Sequence, residues 1–300
     1  MKVTILGCHS ASPHENKNPT AQLLDIKAHR FLIDCGEGTQ VQLRKAKVSF
    51  VHIKHVFISH LHGDHFYGLP GLISSFRLLG REAPLHIYGP KGIKEVITLL
   101  LKLAHSWTNF PLHFHELTAQ DSEVIFEDEH VSVRTIPLKH RVYTNGFLFS
   151  EKLGNRRLNK DALADYAIDK SQFSLLQAGK DVTDETGTII QNAALTLDPH
   201  KPKKYAFCSD TAYDPSIVPL IQGVDLLYHE ATFLQQHAHL AAKTGHSTAQ
   251  EAAAIAKEAA VGKLILGHYS SRYKDLTPFI LEAQEIFPQI ILAADGAVVS

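Results

Sequence analysis

Ser59-His60-Leu61-His62-Gly63-Asp64-His65 carries four potential metal ligands within six residues, directly after the apolar run Val56-Phe57-Ile58. That run has strand character, so the loop caps a strand at its C-terminal end. His60, His62, Asp64 and His65 cannot all reach one ion from an extended chain. A tight turn, which Gly63 permits, can aim two of them at one ion and two at a neighbour. Neutral imidazole suits zinc, and the carboxylate adds a hard oxygen.

Four ligands do not complete two tetrahedral sites, and further candidates stand where other apolar runs stop. His140 follows Val131 to Pro137, Asp210 follows Tyr205 to Ser209, and His268 follows Lys263 to Gly267. Ligands at strand ends are what a rigid scaffold offers along one sheet edge.

Around these points the chain alternates short β-branched runs with helical patterns. Strands are expected at Lys2 to Leu6, Ala21 to Ile26, Arg30 to Ile33, Leu85 to Tyr88, Leu112 to His115, Glu123 to Phe126 and Val131 to Ile136. Tyr205 to Cys208, Leu226 to Tyr228, Leu264 to Leu266 and Ile290 to Leu292 continue the rhythm. Helices are expected at Leu69 to Gly80, Lys91 to His105, Ser247 to Ala260 (capped by Ser247) and Asp275 to Ile286. Sheets with helices to cover them predict one layered α/β domain over residues 1–300. From about Phe149 to Lys204 the pattern breaks: the chain is polar, turn-rich and poor in long strands, which leaves two readings, a functional protrusion or a mobile, solvated surface insertion.

Composition excludes several classes. With 300 residues, 44% hydrophobic and 20% charged, the chain is an ordinary globular one rather than disordered or fibrous. Its apolar stretches, such as Val96 to Leu101 before Lys102, fall far short of the ~20 residues of a membrane span. The opening Met1-Lys2-Val3-Thr4 shows no secretory pattern. Three cysteines, Cys8, Cys35 and Cys208, are odd in number and far apart, as expected of thiols in the cytoplasm. A net charge of −1 means that any nucleic acid must be held by a local patch or by bound cations. There are twenty histidines, so clustering decides which carry chemistry.

Phe31-Leu32-Ile33-Asp34-Cys35-Gly36-Glu37-Gly38-Thr39-Gln40, the H-x-H-x-D-H loop, Pro137-Leu138-Lys139-His140 and Ser209-Asp210-Thr211 follow one another along the chain. His229-Glu230-Ala231-Thr232, His246-Ser247-Thr248 and Gly267-His268-Tyr269-Ser270-Ser271-Arg272-Tyr273 complete the series. The loop alone resembles the metallo-β-lactamase superfamily. The ordered set resembles the short-form ribonuclease Z (tRNase Z) family, which cleaves the 3′ trailer from precursor tRNA. That resemblance implies a metallo-β-lactamase fold, a four-layer αββα sandwich with a protruding tRNA-binding arm at about 149–204. It implies two Zn²⁺ per subunit, with Mn²⁺ as a substitute, and a 3′-hydroxyl left on the tRNA. His60, His62 and His140 would hold one ion and Asp64, His65 and His268 the other, with Asp210 bridging. Asp64 would orient or deprotonate the attacking water, and His246 with Glu230 would serve the leaving oxygen. Lys152, Arg156, Arg157 and Lys160 would face RNA. Precursor tRNA is the implied partner, in a homodimer; no membrane or DNA partner is expected. Two carboxylate ligands leave such an ion pair net positive, which suits an anionic transition state. The chain departs from the family at Tyr166 to Phe173, where arms commonly carry a Gly/Pro-rich centre, and loosely matches its N-terminal loop over Ser10 to Asn18.

Other histidines read differently. His113 and His115 are expected to face solvent, His237 and His239 to lie in a polar loop, and His52 and His55 to be structural. Asp34 is a candidate support beneath the metal loop, and Cys208 a buried packing thiol. Two other functions compete: a small-molecule phosphodiesterase or other hydrolase on the same scaffold, and a non-enzymatic RNA-binding module.

Overall fold

The computed structural model describes residues 1–11, 16–166 and 168–300. Parts of the Ser10 to Asn18 and Tyr166 to Phe173 stretches, residues 12–15 and 167, thus lie outside the described residues. The chain divides into two units, 1–150 with 203–300, and 151–202.

The larger unit holds two sheets. The first takes β1 (Lys2–Gly7), β2 (Ala21–Ile26), β3 (His29–Ile33), β4 (Ile53–Phe57), β5 (Leu85–Pro90) and β6 (Leu112–Leu117) in that spatial order. β1 to β3 pair antiparallel and β3 to β6 parallel. Parallel neighbours need crossovers, and the short helix Thr39–Lys45 and the longer helices Gly68–Leu78 and Ile93–Leu103 supply them. The chain then enters the second sheet through β7 (Val124–Glu127), β8 (Val131–Leu138) and β9 (Thr144–Glu151).

In the smaller unit β10 (Arg157–Leu158) pairs with β13 (Thr196–Leu197), and β11 (Val182–Thr183) with β12 (Ile189–Ile190). Leu176, Val182 and Leu195 form a small core of its own, flanked by Leu158, Phe173 and Ile190. The buried Asn192 side chain donates to Leu176 O and Lys180 O, tying that core to the backbone.

Back in the larger unit, β14 (Lys204–Cys208), β15 (Leu226–Glu230), β16 (Lys263–Gly267) and β17 (Ile290–Leu292) run parallel beyond β9, and β18 (Val298–Val299) joins β1.

Strand alternation divides the apolar residues between layers. Val3, Ile5, Leu24, Phe31, Ile33 and Phe57 pack between the sheets with Phe147, Phe149, Tyr205 and Phe207. Their neighbours Leu6, Leu23, Leu32, Val56 and Ile58 face the other way, against Leu69, Leu72, Phe76 and Ile97 of the two helices. On the second sheet the Ala249–Glu258 helix buries Ala252, Ala253, Ile255 and Ala256. The result is the four-layer αββα sandwich.

The structure adds one strand to those expected and corrects one helix cap. β9 does not stand out in the sequence, because Thr144-Asn145-Gly146 reads as a turn; it nevertheless lies between β8 and β14. Gly146 is required there, since a Cβ would sit 2.4 Å from Phe207 O. Phe149 is fully buried in the sandwich, and the smaller unit runs from 151 to 202, inside the insertion expected at about 149–204. The Ala249–Glu258 helix is capped by Thr248, not Ser247, in a capping box with Glu251. Ser247 instead donates its hydroxyl to Thr211 O at 2.7 Å.

Candidate metal centre

Parallel pairing sets the ends of β14, β15 and β16 level, with Cys208 opposite His229 and Glu230 opposite Gly267. Asp210 and His268, just past β14 and β16, adopt left-handed backbones with φ of 61° and 60°. Asp34, just past β3, does the same at 54°. For a residue other than glycine that conformation costs about 1 kcal/mol, and such strain concentrates at functional sites. Here it turns three side chains out of their strands toward one edge.

Two groups of ligand atoms meet there. His60, His62, His140 and Asp210 form one and Asp64, His65 and His268 the other, each with its atoms within 4.8 Å of one another. His62 Nδ1 lies 2.9 Å from His60 Nε2 and 3.4 Å from His140 Nε2. Asp210 reaches both groups. Its Oδ2 is 3.6 Å from His60 Nε2 and 3.7 Å from His140 Nε2. Its Oδ1 is 3.2 Å from His65 Nε2 and 3.0 Å from His268 Nε2. Asp64 Oδ2 stands 3.6 Å from His65 Nε2 and 3.5 Å from His268 Nε2.

The donor set fits divalent ions. His65 Nε2 and His268 Nε2 are buried and face the Asp64 and Asp210 carboxylates without a well-directed hydrogen bond, an arrangement that a cation among them would satisfy. The opposite ring nitrogens are tied to the protein, which fixes each tautomer. His60 Nδ1 contacts Ser59 Oγ at 3.0 Å, and His65 Nδ1 donates to Asp34 Oδ2 at 2.7 Å. His140 Nδ1 donates to Gly245 O at 2.7 Å, and His268 Nδ1 contacts Thr232 Oγ1 at 2.9 Å. Asp34 also accepts from Ser59 N–H and Oγ–H, and so supports the loop from beneath. Burial keeps His60, His62 and His140 toward the neutral, metal-binding form.

Beside the centre, His246 Nδ1 lies 2.7 Å from Glu230 Oε1, and its ring stacks on His268 at 5.3 Å. Burial opposes an imidazolium here, but the Glu230 charge and hydrogen bond prevail and hold His246 at about 9. Glu230 is fully buried and anchored by Thr211 N–H and by the N–H and hydroxyl of Thr232. The hydroxyl of Thr232 thus touches both Glu230 and His268. Sequence reasoning missed Thr211 and Thr232, although each belongs to a motif quoted for its acidic residue.

A profile for the beta-lactamase superfamily domain matches residues 29–269. The chain is 46% identical over 291 residues to a protein of Porphyromonas gingivalis named Ribonuclease Z, covering 97% of this chain and 96% of that one. A Cytophaga hutchinsonii protein of the same name is 47% identical over 294 residues, covering 98% and 94%. The chain belongs to the ribonuclease Z family. Among solved structures, human tRNase Z, short form, superposes with a TM-score of 0.73 at 30% identity, covering 100% of this chain and 99% of that one.

In this ribonuclease Z chain the histidines outside the centre have other surroundings. His113 is exposed, while His115 is half-buried and stacks on Tyr88 at 4.2 Å. His237 donates or accepts at Tyr273 Oη, 2.6 Å away, and His239 lies in the short helix Ala238–Thr244, so the expected polar loop is helical. His52 is exposed; His55 is half-buried and stacks on His86 at 5.1 Å. Cys208 is a fully buried free thiol. In the smaller unit, Arg156 donates to Thr196 Oγ1 and Asp198 Oδ1, and Arg157 to Asp198 O. Arg157 and Lys160 are exposed, Lys152 and Arg156 half-buried.

Proposed function

We infer that this chain is a metal-dependent endoribonuclease that removes the 3′ trailer from precursor tRNA. The observation that carries the reading is the pair of ligand groups joined by Asp210, in a chain related over nearly its whole length to ribonuclease Z proteins. The proposed occupants are two Zn²⁺ per subunit, for which Mn²⁺ could stand in. When bound, the ions supply positive charge against the scissile phosphate and acidify the attacking water.

The chain's own residues do the rest. His60, His62 and His140 would hold one ion, Asp64, His65 and His268 the other, and Asp210 both. Asp64 orients the water and accepts its proton. His246, charged through its bond to Glu230, donates from Nε2 to the leaving ribose oxygen, which leaves a 3′-hydroxyl on the tRNA and a 5′-phosphate on the trailer. The 151–202 unit, with Lys152, Arg157 and Lys160 as RNA contacts and Arg156 as an internal tie that also faces RNA, is the proposed tRNA-binding arm. A cytoplasmic homodimer is the proposed working form. No helix among the described residues is long and apolar enough to cross a membrane.

The test is incubation of the purified protein with a 3′-extended precursor tRNA, with and without chelator, mapping both product ends. A single chelator-sensitive cut near the discriminator base is expected. Hydrolysis of a small phosphodiester without any cut in the precursor would overturn the substrate assignment and favour the small-molecule hydrolase.

A further inference from the structure

Asp64 Oδ2 has a third neighbour besides the two imidazoles: the backbone N–H of Ala11, which donates to it at 2.8 Å. Ala11 lies on the segment that leaves β1 at Cys8 and rejoins the sheet after Asn18. Its φ of 58° is left-handed, a conformation that a residue other than glycine keeps only when its surroundings impose it.

The restraint comes from the far end of the chain. Asp295 Oδ1 accepts the N–H of Cys8 at 3.2 Å and its thiol at 3.3 Å. Asp295 Oδ2 accepts the N–H and the side-chain amide of Asn18, both at 2.8 Å. One carboxylate therefore fastens both ends of the segment. Within it, His9 N–H donates to Asn18 O at 3.1 Å, and Ser10 N–H to Tyr269 O, also at 3.1 Å. Tyr269 directly follows His268, so the segment is also keyed to the strand end that presents this ligand. Cys8, His9 and Asp295 themselves lie close enough to suggest an ion site. With four donors already on Asp295, the cluster is a tie rather than a ligand set.

We propose that Asp295 is a positioning residue for the reaction: by fastening Cys8 and Asn18 it aims the Ala11 N–H at Asp64 and fixes the plane of that carboxylate. A hydrogen bond to an ionised acceptor is strong and directional. Groups that orient a ligand in this way typically govern metal affinity or activity by about 10- to 100-fold. The inference rests on reading Asp64 as ligand and base.

Two full-length variants test it: Asp295→Asn, and a backbone ester at position 11 with lactate in place of alanine, which removes only the N–H. Each is titrated with Co²⁺, following visible absorption. Each is then assayed on bis(p-nitrophenyl) phosphate and on the 3′-extended precursor. The expected result in both is a Co²⁺ affinity weakened about 10-fold or more at the Asp64 group and a kcat lowered 10- to 100-fold on both substrates, with KM within about two-fold. If Asp295→Asn does not fold, the ester variant decides alone. Wild-type Co²⁺ binding and kcat in the ester variant would overturn the proposal, as would a rise in KM for the precursor alone. A wild-type protein that turns over the small diester but not the precursor refutes the tRNA reading; the Co²⁺ titration still judges Asp295.

Discussion

Each of His60, His65, His140 and His268 is held through one ring nitrogen so that the other is aimed, and the holders differ in kind: a serine, a buried aspartate, a carbonyl and a threonine. The candidate ligands were legible because they stand in or directly before the turns where apolar runs stop. Their holders were not, because nothing local distinguishes Thr232 from any other threonine; its role arises only when β15 and β16 pair. His55 shows the converse. It was read as structural, and burial together with the neighbouring His86 and His29 charges holds it down at about 3. An unfolded histidine takes up its proton near 6.5. Between those values the unfolded chain binds a proton that the folded chain refuses, so stability is intact above pH 6.5 and is lost as pH falls toward 3. In the metal-free protein, His55→Phe is expected to flatten the decline in urea midpoint between pH 7 and pH 5. An equally steep decline in the variant would refute this.

The turn after β3 and the metal loop after β4 are packed backbone to backbone. A Cβ on Gly36 would come within 2.4 Å of Asp64 O and 2.7 Å of the Pro19 side chain. Gly36→Ala is therefore expected to displace Asp64, weaken ion binding and cost about 1–3 kcal/mol of stability. Gly154→Ala, with nothing within 4 Å, is the matched control. Urea unfolding and competition with a chromophoric chelator read both effects; a Gly36→Ala protein that binds ions normally would contradict the packing argument. Most elements could be read from period and punctuation, within a few residues at each end. β9 could not, because its first residues have turn chemistry and only the close approach of Phe207 O explains the glycine.

A layered α/β domain followed from the alternation of strands and helices, and the four-layer sandwich from the family resemblance, whereas the internal order of the 151–202 unit followed from neither, because its strands are two residues long and its core is three buried side chains. That unit is a compact body distinct from the rest of the chain, so it can be replaced as a piece in an experiment. Replacing Leu153 to Thr196 with a short Gly-Ser linker is expected to leave bis(p-nitrophenyl) phosphate turnover within about three-fold. Cleavage of the 3′-extended precursor should fall by about 100-fold or more, as when remote binding energy is lost. Equal loss on both substrates would remove the case for a separate RNA-binding role.

The two ligand groups draw on both halves of the sandwich: His60, His62, Asp64 and His65 stand at the edge of the first sheet, and His140, Asp210 and His268 at the edge of the second. Ions bound as proposed would tie the two edges together, and their rate of exchange with solution would then serve as a clock for how often the sandwich gapes along that seam.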